Sequence, residues 1–221
     1  MNTFALIFDM DGTMIDSMPY HAQSWIEFAR RHNVAMDAQE LLRRTTGRTG
    51  VECMGELFGR VMTTQQALPL VHEKEAIYRA LFTPVFREVA GFMAFAAKAR
   101  ALGFKIGVGT AGDQQNIAFA MGHLQMKDTP DVIVGGDQGF PGKPEPAIFL
   151  EAARAMNTLP GRSIVFEDAP FGIEAARRAG MRAVALCTSH SAAELAGPHV
   201  IAAVRDYNEL PPDFLEQLHT K

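Results

Sequence analysis

Cysteine, tryptophan and long apolar runs are scarce in this sequence. Of its 221 residues, two are cysteine (Cys53 and Cys187) and one is tryptophan (Trp25). Two thiols build neither a disulfide framework nor a zinc site of the usual spacing, and the plain expectation is a reduced, cytoplasmic chain. No apolar stretch approaches the roughly 20 residues that a membrane span needs. The apolar run at 4–8 has no basic segment before it and is too short for a secretion signal, so no membrane partner is expected. A basic excess is also missing. Lys and Arg together number 21 against 25 Asp and Glu, a net charge of -4. That disfavours a broad nucleic-acid footprint but leaves room for a local site that binds a small anion. There are no repeats and no low-complexity tracts. What remains is 48% apolar and 21% charged, the composition of an ordinary globular chain. At roughly 150 residues per domain, this length is one large domain or one domain with an insert.

Short apolar runs alternate with helix-like stretches over much of the chain. The first run, 4–8, ends in Asp9-Met10-Asp11-Gly12 and has the character of a strand buried on both faces. Further runs at 105–109, 131–134, 163–166 and 182–186 each follow a helix-like stretch, at 92–102, 114–124, 146–156 and 171–179. This alternation predicts an α/β fold: a doubly wound, Rossmann-like parallel sheet with helices on both faces. Residues 200–204 extend it as one more strand, and 213–218 as a short closing helix. The stretch from 17 to 87 breaks the pattern and has only helix-like segments, at 19–32, 38–44, 51–58 and 64–82. We therefore expect a core of 1–16 and 88–221 interrupted by an inserted helical cap of 17–87.

The strand ends carry the chemistry. In a parallel α/β sheet, ligands sit beyond the carboxyl ends of the strands. Those ends here are Asp9-Met10-Asp11-Gly12-Thr13, Thr110-Ala111-Gly112 and Glu167-Asp168, joined by a loop around Gly142-Lys143-Pro144. The expected mouth holds four carboxylates, a hydroxyl and an ammonium. Crowded carboxylates repel unless a cation sits among them, and all-oxygen ligation with few protein ligands suits Mg²⁺. A carboxylate can itself attack phosphorus to form an aspartyl-phosphate. The second carboxylate, two residues on, can protonate the leaving oxygen and later activate water. Thr110 and Lys143 would hold the phosphoryl oxygens.

These segments, in this order, resemble the four motifs of the haloacid dehalogenase-like phosphohydrolases, and the helical insert resembles that family's C1 cap. Pro144-Glu145-Pro146-Ala147, the run from Phe166 to Ile173, and His21 followed by Trp25 are similar to the β-phosphoglucomutase-like subgroup with its sugar-phosphate phosphatases. The resemblance implies that Asp9 is the nucleophile and a Mg²⁺ ligand. It implies that Asp11 is the general acid and base, binding metal through its carbonyl. Thr110, Ala111 and Lys143 would bind phosphate, and Glu167 and Asp168 would complete the metal site. In the cap, His21, Trp25, Arg48 and Lys74 would face the substrate. The implied activity is hydrolysis of small phosphorylated metabolites, with β-phosphoglucomutase-type transfer as the alternative; separately, a monomer is expected. The mutases carry an arginine three residues after the cap-loop glycine. Counted from Gly47 that position is Gly50 here, and Arg48 lies two residues earlier.

Simpler readings exist for the cap residues. His21 alone resembles a helix-surface histidine. Lys74, within Glu73-Lys74-Glu75, resembles a solvated charge run, and Trp25 has the spacing of packing core. Two rival functions are also open. Gly107-x-Gly109-x-x-Gly112 matches a dinucleotide fingerprint, although Gly107 would lie inside a strand. A phospho-acceptor signalling domain would use similar residues, but the helical insert fits it poorly.

Overall fold

The computed structural model describes residues 4–126 and 130–219. Among them are the strands β1 (Ala5–Phe8), β2 (Lys105–Gly109), β3 (Val132–Val134), β4 (Ser163–Glu167), β5 (Arg182–Leu186) and β6 (Val200–Val204). They form one sheet, parallel throughout, in the order β3-β2-β1-β4-β5-β6. The expected strands and helices all appear, with ends shifted by a residue or two.

Between β1 and β2 come α1 (Met18–Arg31), α2 (Ala38–Thr45), α3 (Gly50–Phe58), α4 (Thr64–Phe82) and α5 (Phe92–Ala101). The later helices are α6 (Gln114–Leu124), α7 (Ala147–Ala155), α8 (Pro170–Arg178) and α9 (Phe214–His219). Successive strand side chains point to opposite faces, and here both faces are apolar. Leu6, Phe8, Ile106 and Phe166 pack under α5, α6 and α9, while Ala5, Ile7, Val165 and Ala183 pack under α7 and α8. The sheet is therefore doubly wound. Among the described residues, no helix is long and apolar enough to cross a membrane.

Helices α1 to α4 bury a core of their own around Trp25, Phe28, Met54, Val71 and Ile77. Capping boxes start α3 (Thr49 with Glu52) and α4 (Thr63 with Gln66), each satisfying two end N–H groups reciprocally. The last turns of α4 leave this helical core. Tyr78 and Phe82 pack into the main core instead, with Phe82 5.9 Å from Tyr78 and 6.1 Å from Phe119 on α6.

Sheet order sets the site. β1 lies between β2 and β4, with Phe8 level with Val108 on one side and Phe166 on the other. The residues just past β1, β2 and β4 therefore emerge side by side, and the Asp9 N–H donates to the Phe166 carbonyl at 2.9 Å.

Candidate active site

Asp9 leaves β1 buried, 7% exposed, against Lys143, which is 1% exposed. The Lys143 ammonium donates to Asp9 Oδ1 and to Glu167 Oε1, the latter at 2.8 Å. Glu167 uses its other oxygen to accept the Ala169 N–H at 2.7 Å. Burial, reinforced by Glu167 and opposed by Lys143, raises the Asp9 carboxyl from 3.8 to about 7. Burial also works to strip the Lys143 proton, but Asp9 and Glu167 outweigh it and hold the ammonium above the ordinary lysine range. The buried neighbour Asp168 is raised well above 3.8, by burial first, then by Glu167 and Asp9.

Gly12 makes this crowding possible. Its φ is +76°, and a Cβ there would sit 2.2 Å from Asp168 Oδ2. Only a residue without a side chain tolerates both the left-handed backbone and the approach.

Asp11 faces the other way, toward α1 and α4. Its Oδ1 accepts from Ser17 Oγ at 2.7 Å, from His21 at 3.1 Å and from the Tyr78 hydroxyl at 3.2 Å. Burial would raise this carboxyl, but His21, Ser17 and, at longer range, Lys74 overcome it and hold it down at about 2. Lys74 lies 2.7 Å from His21 Nδ1. An ammonium only donates, so Nδ1 accepts and Nε2 carries the proton given to Asp11. The His21 ring stacks on Tyr78 at 3.8 Å.

Neither simple reading of His21 and Lys74 as surface residues survives. Lys74 is 2% exposed; it pairs with Glu75 at 2.9 Å and sits 4.8 Å above the Trp25 ring. The charge run is turned inward because α4 packs its Lys74 face over the strand ends. Trp25 belongs to the helical core and also lines the cavity. Thr110 is buried, and its Oγ1 accepts the Gly112 N–H at 3.0 Å. Arg48 lines the cavity but lies 3.6 Å from Glu56 and 5.1 Å from the Phe171 ring. Gly107 and Gly109 are strand residues packed on Met156 and Phe149, so the dinucleotide fingerprint forms no phosphate loop.

Several contacts were invisible in the sequence. Thr188, Ser189 and His190 follow β5 and grip the site from behind. Thr188 Oγ1 donates to the Gly12 carbonyl at 2.5 Å, Ser189 Oγ to Asp168 Oδ2 at 2.5 Å, and His190 lies 3.0 Å from the Asp168 carbonyl. Between α4 and α6, Asn116 donates to Glu75 at 2.8 Å and accepts from Arg79 at 2.6 Å. Ser17, Tyr78 and Ser189 belong to no motif; only the placement of Tyr78 one helical turn after Lys74 hinted at a shared face.

Asp9, Asp11, Thr110, Ala111, Glu167 and Asp168 all line one cavity of about 820 Å³, with Trp25, Lys74 and Arg48 on its far wall. Among the described residues, no three His, Cys, Asp or Glu side chains converge to hold a metal unaided. Glu167 is taken by Lys143 and Ala169, and Asp11 by Ser17, His21 and Tyr78. Asp9 gives Oδ1 to Lys143 and Asp168 gives Oδ2 to Ser189, which leaves each its other oxygen. Three buried carboxylates (Asp9, Glu167 and Asp168) then face one ammonium. The uncompensated charge is that of one divalent cation, and two carboxylates completed by a carbonyl, water and phosphate suit Mg²⁺.

Known proteins resemble this chain along most of its length. Over 205 residues the chain is 34% identical to a validoxylamine A 7'-phosphate phosphatase of Streptomyces hygroscopicus subsp. limoneus, covering 92% of this chain and 94% of that one. It is 29% identical over 187 residues to a β-phosphoglucomutase of Bacillus subtilis, covering 81% of each. A crystal structure of a family IA hydrolase from Entamoeba histolytica superposes with a TM-score of 0.85 at 26% identity, over 99% of this chain and 100% of that one. The haloacid dehalogenase-like hydrolase family matches residues 6–186, and with the match spanning every strand from β1 to β5, the chain belongs to that family.

Proposed function

We propose that the chain is a Mg²⁺-dependent phosphatase of small phosphorylated metabolites, chiefly sugar phosphates, with residues 17–87 as the cap over a core of 1–16 and 88–221. The observation that carries this reading is the buried Asp9–Lys143–Glu167 cluster beside Asp168 at the floor of the cavity. Asp9 is the nucleophile: its carboxylate oxygen bonds to phosphorus as the ester oxygen leaves. Lys143, Thr110 and the Ala111 backbone take the phosphoryl oxygens and offset their charge. Asp9, Asp168 and the Asp11 carbonyl would hold Mg²⁺, which supplies charge stabilisation for the phosphoryl group and lowers the proton affinity of Asp9. Asp11 then delivers a proton to the leaving oxygen and later takes one from water. The chain Lys74–His21–Asp11 is oriented to hand Asp11 that proton, since each step donates toward it. The relatives named as phosphatases support hydrolysis. Mutase chemistry lacks its cap arginine: a Cβ at Gly50 would meet Val71 Cγ1 at 2.7 Å, so α4 leaves no space for a side chain there.

The direct test is phosphate release from a panel of sugar phosphates. Turnover with Mg²⁺, its loss in excess chelator and its return on re-adding Mg²⁺ are expected. Full activity in chelator would refute the metal's role.

Ser189 should matter through the metal. Its hydroxyl orients the Asp168 carboxylate, and second partners of this kind are worth about 10–100-fold in metal affinity. Calorimetric titration should show Mg²⁺ binding weakened to that extent in Ser189→Ala and largely kept in Ser189→Thr. A dissociation constant unchanged in the alanine variant would remove Ser189 from the site.

A further inference from the structure

Besides the reacting carboxylates, the described lining of the cavity carries Glu52, Glu75, Asp113 and Asp137 against two lysine or arginine side chains, Lys74 and Arg48. Each cation already faces a carboxylate, although Arg48 shares Glu56 with Arg44. Lys74 is buried, paired with Glu75 at 2.9 Å and donating to His21 at 2.7 Å. Arg48 lies 3.6 Å from Glu56, with its guanidinium over Phe171. Among the described residues, the donors to three of the carboxylates are neutral. Glu52 accepts from the Thr49 N–H at 2.8 Å and the Thr49 hydroxyl at 2.7 Å. Asp113 accepts from the Asn116 N–H at 2.8 Å, and Asp137 from the Gln114 N–H at 3.0 Å. Neutral donors orient a carboxylate without cancelling its field. The rest of this wall is largely apolar, with Trp25, Leu42, Val51, Met54, Leu68 and Val71. At position 50, which also lines the cavity, a Cβ would meet Val71 Cγ1 at 2.7 Å.

We infer that this wall selects against a second anionic group on the substrate. The chain hydrolyses monophosphate esters whose remaining atoms are uncharged, such as sugar or polyol monophosphates, and discriminates against bisphosphates and phosphorylated acids. The inference rests on the phosphatase reading and narrows it. A second phosphate or a carboxylate would leave bulk water for a cavity in whose described lining carboxylates outnumber lysine and arginine side chains. Desolvation and repulsion then act together. This is specificity by an unfavourable contact with the wrong substrate. Glu52 is a principal contributor. It lies on the first turn of α3 against Gly142, one residue before Lys143, where a Cβ would be 2.5 Å from Glu52 Oε2.

Two matched pairs test it with the full chain and Mg²⁺. Glucitol 6-phosphate and 6-phosphogluconate differ by a terminal hydroxymethyl against a carboxylate. Fructose 1-phosphate and fructose 1,6-bisphosphate differ by the second phosphate. In each pair kcat/KM should favour the uncharged partner by about tenfold or more at low ionic strength, and the gap should narrow as salt screens the wall. Glu52→Gln keeps the capping box, since glutamine serves at that position. It should narrow the gap by roughly two- to fivefold. A charged partner turned over as fast as its uncharged counterpart would overturn the inference, as would a gap unmoved by both salt and Glu52→Gln. Phosphate release from none of the four would instead overturn the phosphatase reading beneath it.

Discussion

Asp9→Asn is expected to lower kcat by about 10⁴-fold or more while the protein stays folded, because loss of a catalytic nucleophile costs enzymes on this scale. The amide is nearly the same shape as the carboxylate and still accepts a hydrogen bond from Lys143. Its oxygen has no charge with which to attack phosphorus, and its nitrogen cannot replace it. The backbone link from residue 9 to Phe166 is untouched. The fold should not suffer, since the change removes one of three buried carboxylates that repel each other. In metal-free buffer the variant should melt within a few degrees of the parent, or above it. Parallel phosphate-release assays and thermal melts decide the matter: a folded variant with more than about 1% of the parent rate would rule out attack by Asp9.

Lys143→Met should damage both stability and turnover. The ammonium is the cation that touches Asp9 and Glu167, and methionine fills similar space without charge. Breaking a buried pair by deleting one partner costs about 3–5 kcal/mol, which for a chain of this size is a fall of roughly 6–20 °C in Tm. Turnover should drop by about 10²–10³-fold through the lost phosphoryl contact. The deficit in metal-free buffer should depend on pH. In the parent chain Asp9 is raised from 3.8 to about 7, and without Lys143 it rises further. A raised carboxyl leaves stability intact below the unfolded value near 4 and removes it as pH climbs through the folded value. The gap in Tm between variant and parent should therefore be small at pH 4 and widen toward pH 8. Mg²⁺ should recover part of it. A deficit independent of pH and of Mg²⁺ would mean that Lys143 acts only by packing, for example against Phe149, whose ring lies 4.8 Å from its ammonium.

Much of this was legible in the chain itself. Apolar runs closed by polar turns located the strands, because a strand buried on both faces needs an unbroken apolar segment of that length. The rule that ligands gather at the carboxyl ends then drew Asp9, Thr110 and Glu167-Asp168 to one place. The pattern failed where burial depends on a distant partner. Glu73-Lys74-Glu75 has the spacing of a solvated face, and nothing within α4 says that His21 and Trp25 will cover Lys74 from α1. Nor does anything in its own segment say that Arg48 will line the cavity between Glu56 and Phe171.

The sequence by itself determined the order of elements, the doubly wound parallel sheet and the segments that supply the chemistry, because these follow from local periodicity and short motifs. The tertiary structure decided how the charges are shared. It paired Lys143 with Asp9 and Glu167, turned Asp11 toward His21 and Tyr78, set Ser189 behind Asp168 and closed position 50 with Val71. Each of these is a contact between residues on different elements. Its energy comes from burial and from the opposing charge or hydrogen-bond partner that the sheet order brings near, and no window of neighbouring residues contains either.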